Sequence, residues 1–185
     1  MQKMNHAETS FINWVEDAAK GKRDAFGRLY EQFSAAMFNI CIRMVSERNL
    51  AEDLLHESFI TAFNNIKNLR EPARFGGWLK QITIRKCIQS TTSKYSFKEL
   101  DDEGQWIDEY EESWWGGLSM VDIQCAIKEL PDGCREIFNL YAVEDYSHRD
   151  IAELLNISES TSKSQYHRAK GLLRVKLLKV LKVNG

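Results

Sequence analysis

Apolar side chains recur at intervals of three and four residues along almost the whole 185-residue chain, and no stretch alternates convincingly between apolar and polar residues. The first spacing places side chains on one stripe of an α-helix, whereas a half-buried strand needs a period of two. The sequence therefore predicts an all-α protein. Helices are expected over residues 11–20, 24–45, 75–90, 119–129, 132–143, 148–154 and 159–181, with a further helix whose apolar stripe runs from 51 to 66.

One segment interrupts the helical pattern, because residues 91–117 lack periodicity and combine many acids with three tryptophans. We interpret it as a linker, and we predict two small helical domains joined by a flexible acidic linker, the second domain containing a helix-turn-helix. The linker's aromatic side chains either pack on a partner or a flanking domain, or belong to a locally ordered flap. The expected divisions are 1–22 for an N-terminal helix of the first domain, 23–95 for the rest of that domain, 96–118 for the linker and 119–185 for the second domain.

The charges are unevenly distributed, although the net charge of the chain is only −2. Residues 20–98 hold 14 basic and 7 acidic side chains, and residues 163–185 hold 7 basic and no acidic ones. Between them, residues 99–112 hold 8 acids and no base, and residues 119–162 hold 3 bases and 9 acids. Two basic zones separated by acidic ones predict two surfaces that contact nucleic acid.

Several classes of function lack their usual motifs. The amino terminus has no uninterrupted apolar segment of the kind found in signal peptides, and no run approaches the roughly 18 apolar residues of a membrane helix, so we expect a cytoplasmic protein with no membrane insertion. No helix presents a nucleophile beside a base, no HExxH motif or phosphate-binding loop occurs, and the four histidines are isolated. The sequence therefore predicts no enzymatic activity, no cofactor and no metal site.

The four cysteines are scattered singly, without the close pairs of zinc sites or redox motifs. Cysteines of this kind are usually buried, unpaired thiols. We therefore expect Cys41, Cys87, Cys125 and Cys134 to be buried.

Residues 146–173 have the pattern of a helix-turn-helix. Ile151, Ala152 and Leu155 form the inward stripe of a short helix, a three-residue turn passes through Asn156, and Ser158 is suited to cap the next helix. The inward seam of that second helix is predicted to consist of Ser162, Tyr166, Ala169 and Leu173.

The opposite face of the second helix carries short polar and basic side chains, which suit base edges and phosphates of the major groove. A solvated amphipathic helix is the alternative interpretation. The predicted DNA-binding residues are Thr161, Lys163, Ser164, Gln165, His167 and Arg168, with Gln165 at the edge of the exposed face.

Motifs on both sides of the linker occur together. The carboxyl-terminal half contains Leu130-Pro131, Tyr146-Ser147, Leu155-Asn156-Ile157-Ser158 and Thr161-Ser162-Lys163-Ser164, and the amino-terminal half contains Ala51-Glu52-Asp53-Leu54-Leu55-His56-Glu57-Ser58-Phe59 followed by Phe75, Trp78 and Leu79. In order and spacing, over about residues 10–180, the chain resembles the extracytoplasmic-function sigma factors of bacterial RNA polymerase.

The resemblance implies a role for each domain. The first domain is expected to bind the clamp helices of the largest polymerase subunit and to melt the minus-ten promoter element, and the second to read the minus-thirty-five element. Core RNA polymerase, promoter DNA and an anti-sigma factor are the implied partners. The implied polymerase-binding residues are Glu52, Asp53, His56 and Glu57, and the implied minus-ten residues are Lys67, Asn68, Leu69, Arg70, Arg74, Lys80, Arg85 and Lys86.

The chain departs from the family's usual residues at four positions. His56 stands in place of Gln, Arg85 in place of Asn, Gln89 in place of Asp, and Ser162 in place of an apolar residue. Arg85 is expected to affect which minus-ten sequence is accepted. Ser162 is expected to loosen the packing of the recognition helix modestly, because a hydroxyl is costly in an apolar seam.

Two further hypotheses remain open in the sequence. A stand-alone helix-turn-helix regulator is the alternative function, although the first hundred residues show no alternating β/α pattern for a sensor domain. The acidic segment 99–112 either masks the two DNA-binding surfaces before polymerase binds, or serves as a solubilising tether.

Overall fold

The computed structural model describes residues 6–92 and 118–184, and all regular structure in these ranges is helical. The chain divides into two compact units, Met1–Ser93 and Lys94–Gly185. The prediction of an all-α protein with two helical domains is confirmed. The predicted linker lies outside the described residues except for Leu118, and so do the hypotheses about its aromatic and acidic side chains. No described helix is long and apolar enough to cross a bilayer.

The first unit consists of four helices and two short 3₁₀ turns. These are α1 (His6–Ala19), α2 (Arg23–Val45), α3 (Arg48–Asn65), the turns Ile66–Asn68 and Pro72–Arg74, and α4 (Phe75–Thr92). Gly21 lies in the turn between α1 and α2 with a φ of 84°, which a residue without Cβ adopts at no steric cost. The positive φ of Gly21 therefore explains why the first helix ends just before this glycine.

The predicted apolar stripe of α3 faces the core. Ala51, Phe59, Ala62 and Ile66 are buried, and Phe63 is half-buried beside the rings of Phe26 and Phe59. Because the stripe is buried, the opposite side of α3 is left at the surface, where the predicted polymerase-binding residues lie.

A row of aromatic rings joins α1, α2 and α4. The Phe33 ring lies 6.1 Å from the Phe11 ring and 5.4 Å from the buried Phe75 ring, and Trp78 continues the row at 6.1 Å from Phe75. Trp78 is half-buried against this row.

The second unit consists of α5 (Met120–Lys128), α6 (Asp132–Phe138), a π-helical turn (Asn139–Val143), α7 (His148–Leu155) and α8 (Glu159–Asn184). Its core is formed by Ala126, Leu130, Cys134, Ala169, Leu173 and Leu177. The predicted single helix over 132–143 is wrong in its last part, because the α-helix ends at Phe138 and widens into the π turn. Periodicity over so few residues does not distinguish 3.6 residues per turn from one wider turn.

The prediction that all four cysteines are buried is wrong for Cys125. Cys41, Cys87 and Cys134 are buried, whereas Cys125 is exposed on the outer side of α5. The next residue, Ala126, is the one that faces the core. Cys41 and Cys87 are 46 residues apart but adjacent in the fold. A hydrogen bond with the Cys87 side chain lowers the pKa of Cys41, against the effect of burial.

The two adjacent glycines of α4 provide a test of the packing. A Cβ at Gly76 would lie 2.9 Å from Cε1 of Phe33, whereas a Cβ at Gly77 would have no atom within 4 Å. Gly77→Ala should therefore leave the free energy of unfolding unchanged or raise it by up to about 1 kcal/mol. Gly76→Ala should be less stable than Gly77→Ala by about 1–3 kcal/mol, because the Phe33 ring must move within the aromatic row. Urea unfolding of both variants measures the difference, and equal stabilities would contradict this packing.

Candidate polymerase and nucleic-acid interfaces

The helix-turn-helix begins with a well-capped first helix. The Ser147 hydroxyl accepts a hydrogen bond from the Asp150 backbone N–H at 3.1 Å, and the Asp150 carboxylate accepts one from the Ser147 N–H at 3.3 Å. The Ser147 hydroxyl also donates to the Asp150 carboxylate at 2.6 Å, and this bond, together with the one from the Ser147 N–H, lowers the pKa of Asp150. Helix α7 ends at Asn156, whose φ of 53° is left-handed, a conformation that Asn tolerates better than most residues.

The turn leads directly into α8, the recognition helix. The Thr161 backbone N–H donates to the Ser158 hydroxyl at 3.0 Å, which confirms the predicted cap. The predicted inward seam is also confirmed: Ser162 and Ala169 have no exposed surface, Leu173 is buried, and Tyr166 is half-buried.

Gln165 does not lie at the edge of the exposed face, and its predicted placement there is wrong. The side chain is buried, and its Oε1 accepts a hydrogen bond from the Cys134 Sγ of α6 at 3.0 Å. Helix α6 covers this side of α8, so the buried arc of the recognition helix is wider than a single seam. The amide is thereby satisfied inside the unit rather than directed outward.

Ser162 is held by a hydrogen bond, so the expectation that it loosens the packing is wrong. Its Oγ lies 2.9 Å from Nδ1 of His148, the first residue of α7. The His148 ring stacks on Tyr141 of the π turn at 4.2 Å and meets Tyr166 of α8 edge-on at 5.6 Å. His148 is therefore not isolated, because three elements meet at its ring.

The remaining predicted residues of α8 lie at or near the surface. Lys163 and Ser164 are exposed, and Thr161, His167 and Arg168 are half-buried. Lys163 forms a 2.7 Å ion pair with Glu159, whose pKa is lowered by this hydrogen bond and by the lysine's charge. An exposed pair of this kind contributes little to stability, about 0–1 kcal/mol, so Lys163 is able to exchange the carboxylate for a phosphate.

The predicted polymerase-binding residues occupy the outer face of α3. Asp53, His56 and Glu57 are exposed, and the half-buried Glu52 pairs with Arg48 at 2.8 Å. Ile60 was missed by the sequence analysis, although it follows His56 and Glu57 by four and three residues and thus continues their stripe. Its side chain is 60% exposed, an unusual position for a large aliphatic residue.

The predicted minus-ten residues lie on the two 3₁₀ turns, the residues between them, and α4. Exposed residues among them are Lys67, Asn68, Arg70, Arg74 and Arg85, and half-buried ones are Leu69, Lys80 and Lys86. Arg74 pairs with Glu71 at 2.6 Å. Lys86 of α4 lies 3.4 Å from Glu57 of α3, so the fold brings together one residue from each of two separately predicted surfaces.

Comparison with known proteins identifies both units. Residues 29–95 match Sigma-70 region 2, and residues 120–173 match Sigma-70, region 4. The ECF RNA polymerase sigma factor SigW of Bacillus subtilis is 28% identical over 176 residues, which cover 88% of this chain and 94% of SigW. The ECF RNA polymerase sigma-E factor of Haemophilus influenzae is 25% identical over 179 residues, covering 88% of this chain and 93% of that protein.

Solved structures share the fold. The sigma factor RpoE of Bartonella quintana, in complex with the anti-sigma factor NepR, has a TM-score of 0.52 at 23% identity, covering 82% of this chain and 96% of that chain. CnrH in complex with the cytosolic domain of CnrY has a TM-score of 0.51 at 20% identity, covering 91% of this chain and 97% of that chain.

The chain belongs to the ECF RNA polymerase sigma factors, with sigma-70 regions 2 and 4. It directs promoter recognition by RNA polymerase through a DNA-binding helix-turn-helix, and proteins of this family are not enzymes.

His148 should make the stability of the second unit dependent on pH. Burial lowers its pKa, as does the charge of Lys163, while Glu159 acts in the opposite direction. The unfolded chain therefore binds more protons between the lowered pKa and the ordinary value of about 6.5. We expect the free energy of unfolding to reach its full value above about pH 6.5 and to fall as the pH decreases from there.

Urea unfolding of the parent and of His148→Asn at pH values between about 5 and 8 measures this effect. The variant should show a smaller dependence on pH than the parent. The same pH dependence in both proteins would contradict the assignment of the effect to His148.

Proposed function

We propose that each unit recognises one promoter element: the unit with sigma-70 region 2 the minus-ten element, and the unit with region 4 the minus-thirty-five element. The first unit binds the polymerase clamp through the outer face of α3 and engages the minus-ten element through residues 67–74 and α4. The second unit reads the minus-thirty-five element through the exposed face of α8. The observation that carries this proposal is the capped recognition helix, which presents Lys163 and Ser164 to solvent in a chain that also contains sigma-70 region 2. A stand-alone regulator would not need that region.

We propose that Ile60 is the apolar contact of the polymerase interface, with acidic residues beside it. His56 and Glu57 lie three and four residues after Asp53, and Ile60 lies four and three residues after them, so the four side chains share one stripe of α3. A large aliphatic side chain in the middle of an interface commonly contributes more binding energy than the charges around it, because its burial excludes water. The acids are suited to steer the helix towards a basic surface of the clamp.

We also propose an anti-sigma partner and a cytoplasmic location. RpoE and CnrH, which share the fold, were solved in complex with NepR and the cytosolic domain of CnrY. Co-purification of this chain from cells at native expression levels, with and without added core polymerase, would distinguish a bound inhibitor from bound polymerase.

Loss of either basic side chain from the exposed face of α8 should weaken promoter use. Lys163→Ala and Arg168→Ala are each expected to cost about 1–3 kcal/mol in promoter binding if the contact is a bidentate one to a base, and less if it is to a phosphate. Polymerase binding should not change, because the proposed clamp contact is in the other unit. The promoter is first found by mapping transcription starts after overexpression, and transcription with purified core polymerase then compares the variants.

Lys179→Ala is the matched control for these two variants. It removes one positive charge from an exposed position of the same helix, about four turns beyond Lys163, and should leave transcription at the parent level. Unchanged transcription in both Lys163→Ala and Arg168→Ala would refute the proposed reading face.

Charge reversal on the outer face of α3 should abolish holoenzyme formation. Asp53→Arg combined with Glu57→Arg replaces two exposed acids, so helical circular dichroism should be retained while binding to core polymerase is lost. Ile60→Ala should weaken the same complex by about 1 kcal/mol or more, with no loss of stability, since the side chain is 60% exposed.

A pull-down with core polymerase measures both effects. Glu16→Arg reverses one exposed acid on α1 and serves as the control, for which binding should match the parent. Retained polymerase binding by the double variant, with normal circular dichroism, would place the clamp contact elsewhere.

A further inference from the structure

His148 lies at the point where the π turn, α7 and α8 meet. Its ring stacks on Tyr141 of the π turn at 4.2 Å with an interplanar angle of 14°. Its Nδ1 is 2.9 Å from the Ser162 hydroxyl, and its edge faces Tyr166 at 5.6 Å. Ser162 and Tyr166 are one turn apart on α8, so a single ring contacts the recognition helix at two successive levels.

Hydrogen bonds from two other elements hold the start of α8: His148 of α7 bonds Ser162, and Cys134 of α6 donates to Gln165. Ser162 has no exposed surface, and it lies between Thr161 and Lys163 in the sequence. Apolar contacts are non-directional and permit small rotations and shifts of a helix, whereas a hydrogen bond fixes both the distance and the angle between its partners. The bond from Ser162 therefore constrains the rotation of α8 about its own axis at the level of the exposed Lys163 and Ser164.

The support behind His148 is rigid. Helix α7 is anchored by the buried Ile151 and Leu155 and by the capping bonds of Ser147 and Asp150. Tyr141 stacks on the ring from the side of the π turn and also packs at 4.5 Å against Tyr166. Because packing on two sides fixes the position of the His148 ring, its hydrogen bond also fixes the position of Ser162.

We infer that His148 is a positioning residue for promoter recognition: its hydrogen bond to Ser162 sets the orientation of the recognition helix that presents Lys163 and Ser164 to the minus-thirty-five element. The inference rests on the proposed reading face of α8 and deepens it. His148 itself does not contact DNA in this role, and it acts only through Ser162.

Two substitutions of similar shape separate the hydrogen bond from the rest of the ring. His148→Asn keeps a polar atom bonded to Cγ, where Nδ1 stands, and His148→Leu places a methyl group there. Both remove the imidazole ring that stacks on Tyr141. A third variant, Ser162→Ala, removes only the partner hydroxyl and is the smallest change to the core.

The measurement is transcription by the holoenzyme from the mapped promoter, compared with the same promoter carrying a scrambled minus-thirty-five element. The ratio of the two activities reports the use of that element. His148→Leu and Ser162→Ala should lower the ratio by about five- to tenfold, the effect of one net hydrogen bond, while His148→Asn should stay within about twofold of the parent. Combining His148→Leu with Ser162→Ala should add little, because both remove the same bond.

Binding to core polymerase should be the same for all these variants, because the proposed clamp contact is in the other unit, and circular dichroism reports a folding defect in the second unit. Equal ratios for His148→Asn and His148→Leu, whether both are lowered or both normal, would overturn the inference. Lys163→Ala tests the underlying reading face separately. If that variant and Arg168→Ala both keep the parent ratio, the proposed face is wrong, irrespective of the result at His148.

A spectroscopic readout covers the case in which His148→Leu does not fold. In the full chain labelled with ¹⁵N in its histidines, the resonance that disappears in His148→Asn identifies the ring. Ser162→Ala should shift the Nδ1 resonance of that ring, because it loses its hydrogen-bond partner, and should leave the other three histidines in place. An unshifted Nδ1 resonance would overturn the inference.

Discussion

The burial of one side of α8 is the constraint on which the second unit depends. Ala169, Leu173 and Leu177 complete a core to which α5 and α6 contribute Ala126, Leu130 and Cys134. A unit this small has little apolar surface to bury, so nearly every inward position of its longest helix is needed. The same burial leaves the other side of α8 in solvent, and the exposure of the proposed DNA-reading face is thus a consequence of how the core is closed.

In the first unit, a single helix separates core from interface in the same way. The inward stripe of α3 holds the helix against α2 and α4, and its outward stripe presents acids around Ile60. Glu57 on that stripe also pairs with Lys86 of α4 at 3.4 Å. Glu57 is exposed and Lys86 is half-buried, and an ion pair open to solvent contributes about 0–1 kcal/mol, so either residue is able to take a different partner in a larger assembly.

Most of the fold, and the exposure of most residues of the proposed interfaces, were predictable from the sequence. Local patterns carried this information: the three- and four-residue apolar spacing along α3 and α8, the cap at Ser158, and the tolerance of Gly21 and Asn156 for left-handed backbone. The exposed position of Ile60 could also have been predicted, since it continues the stripe of Asp53, His56 and Glu57. Such features depend on residues within one or two turns of each other, so a linear sequence displays them directly.

The helices, most of the faces that they bury and the class of protein can therefore be inferred from the order of the residues. Which polar groups meet across elements depends on how the helices pack. Gln165 is covered by α6 and bonded to Cys134 rather than exposed, Ser162 is bonded to His148 rather than left as a defect, and Cys41 meets Cys87. The physical reason is that a hydrogen bond depends on distances of about 3 Å between atoms of different helices, which packing sets and sequence spacing does not encode.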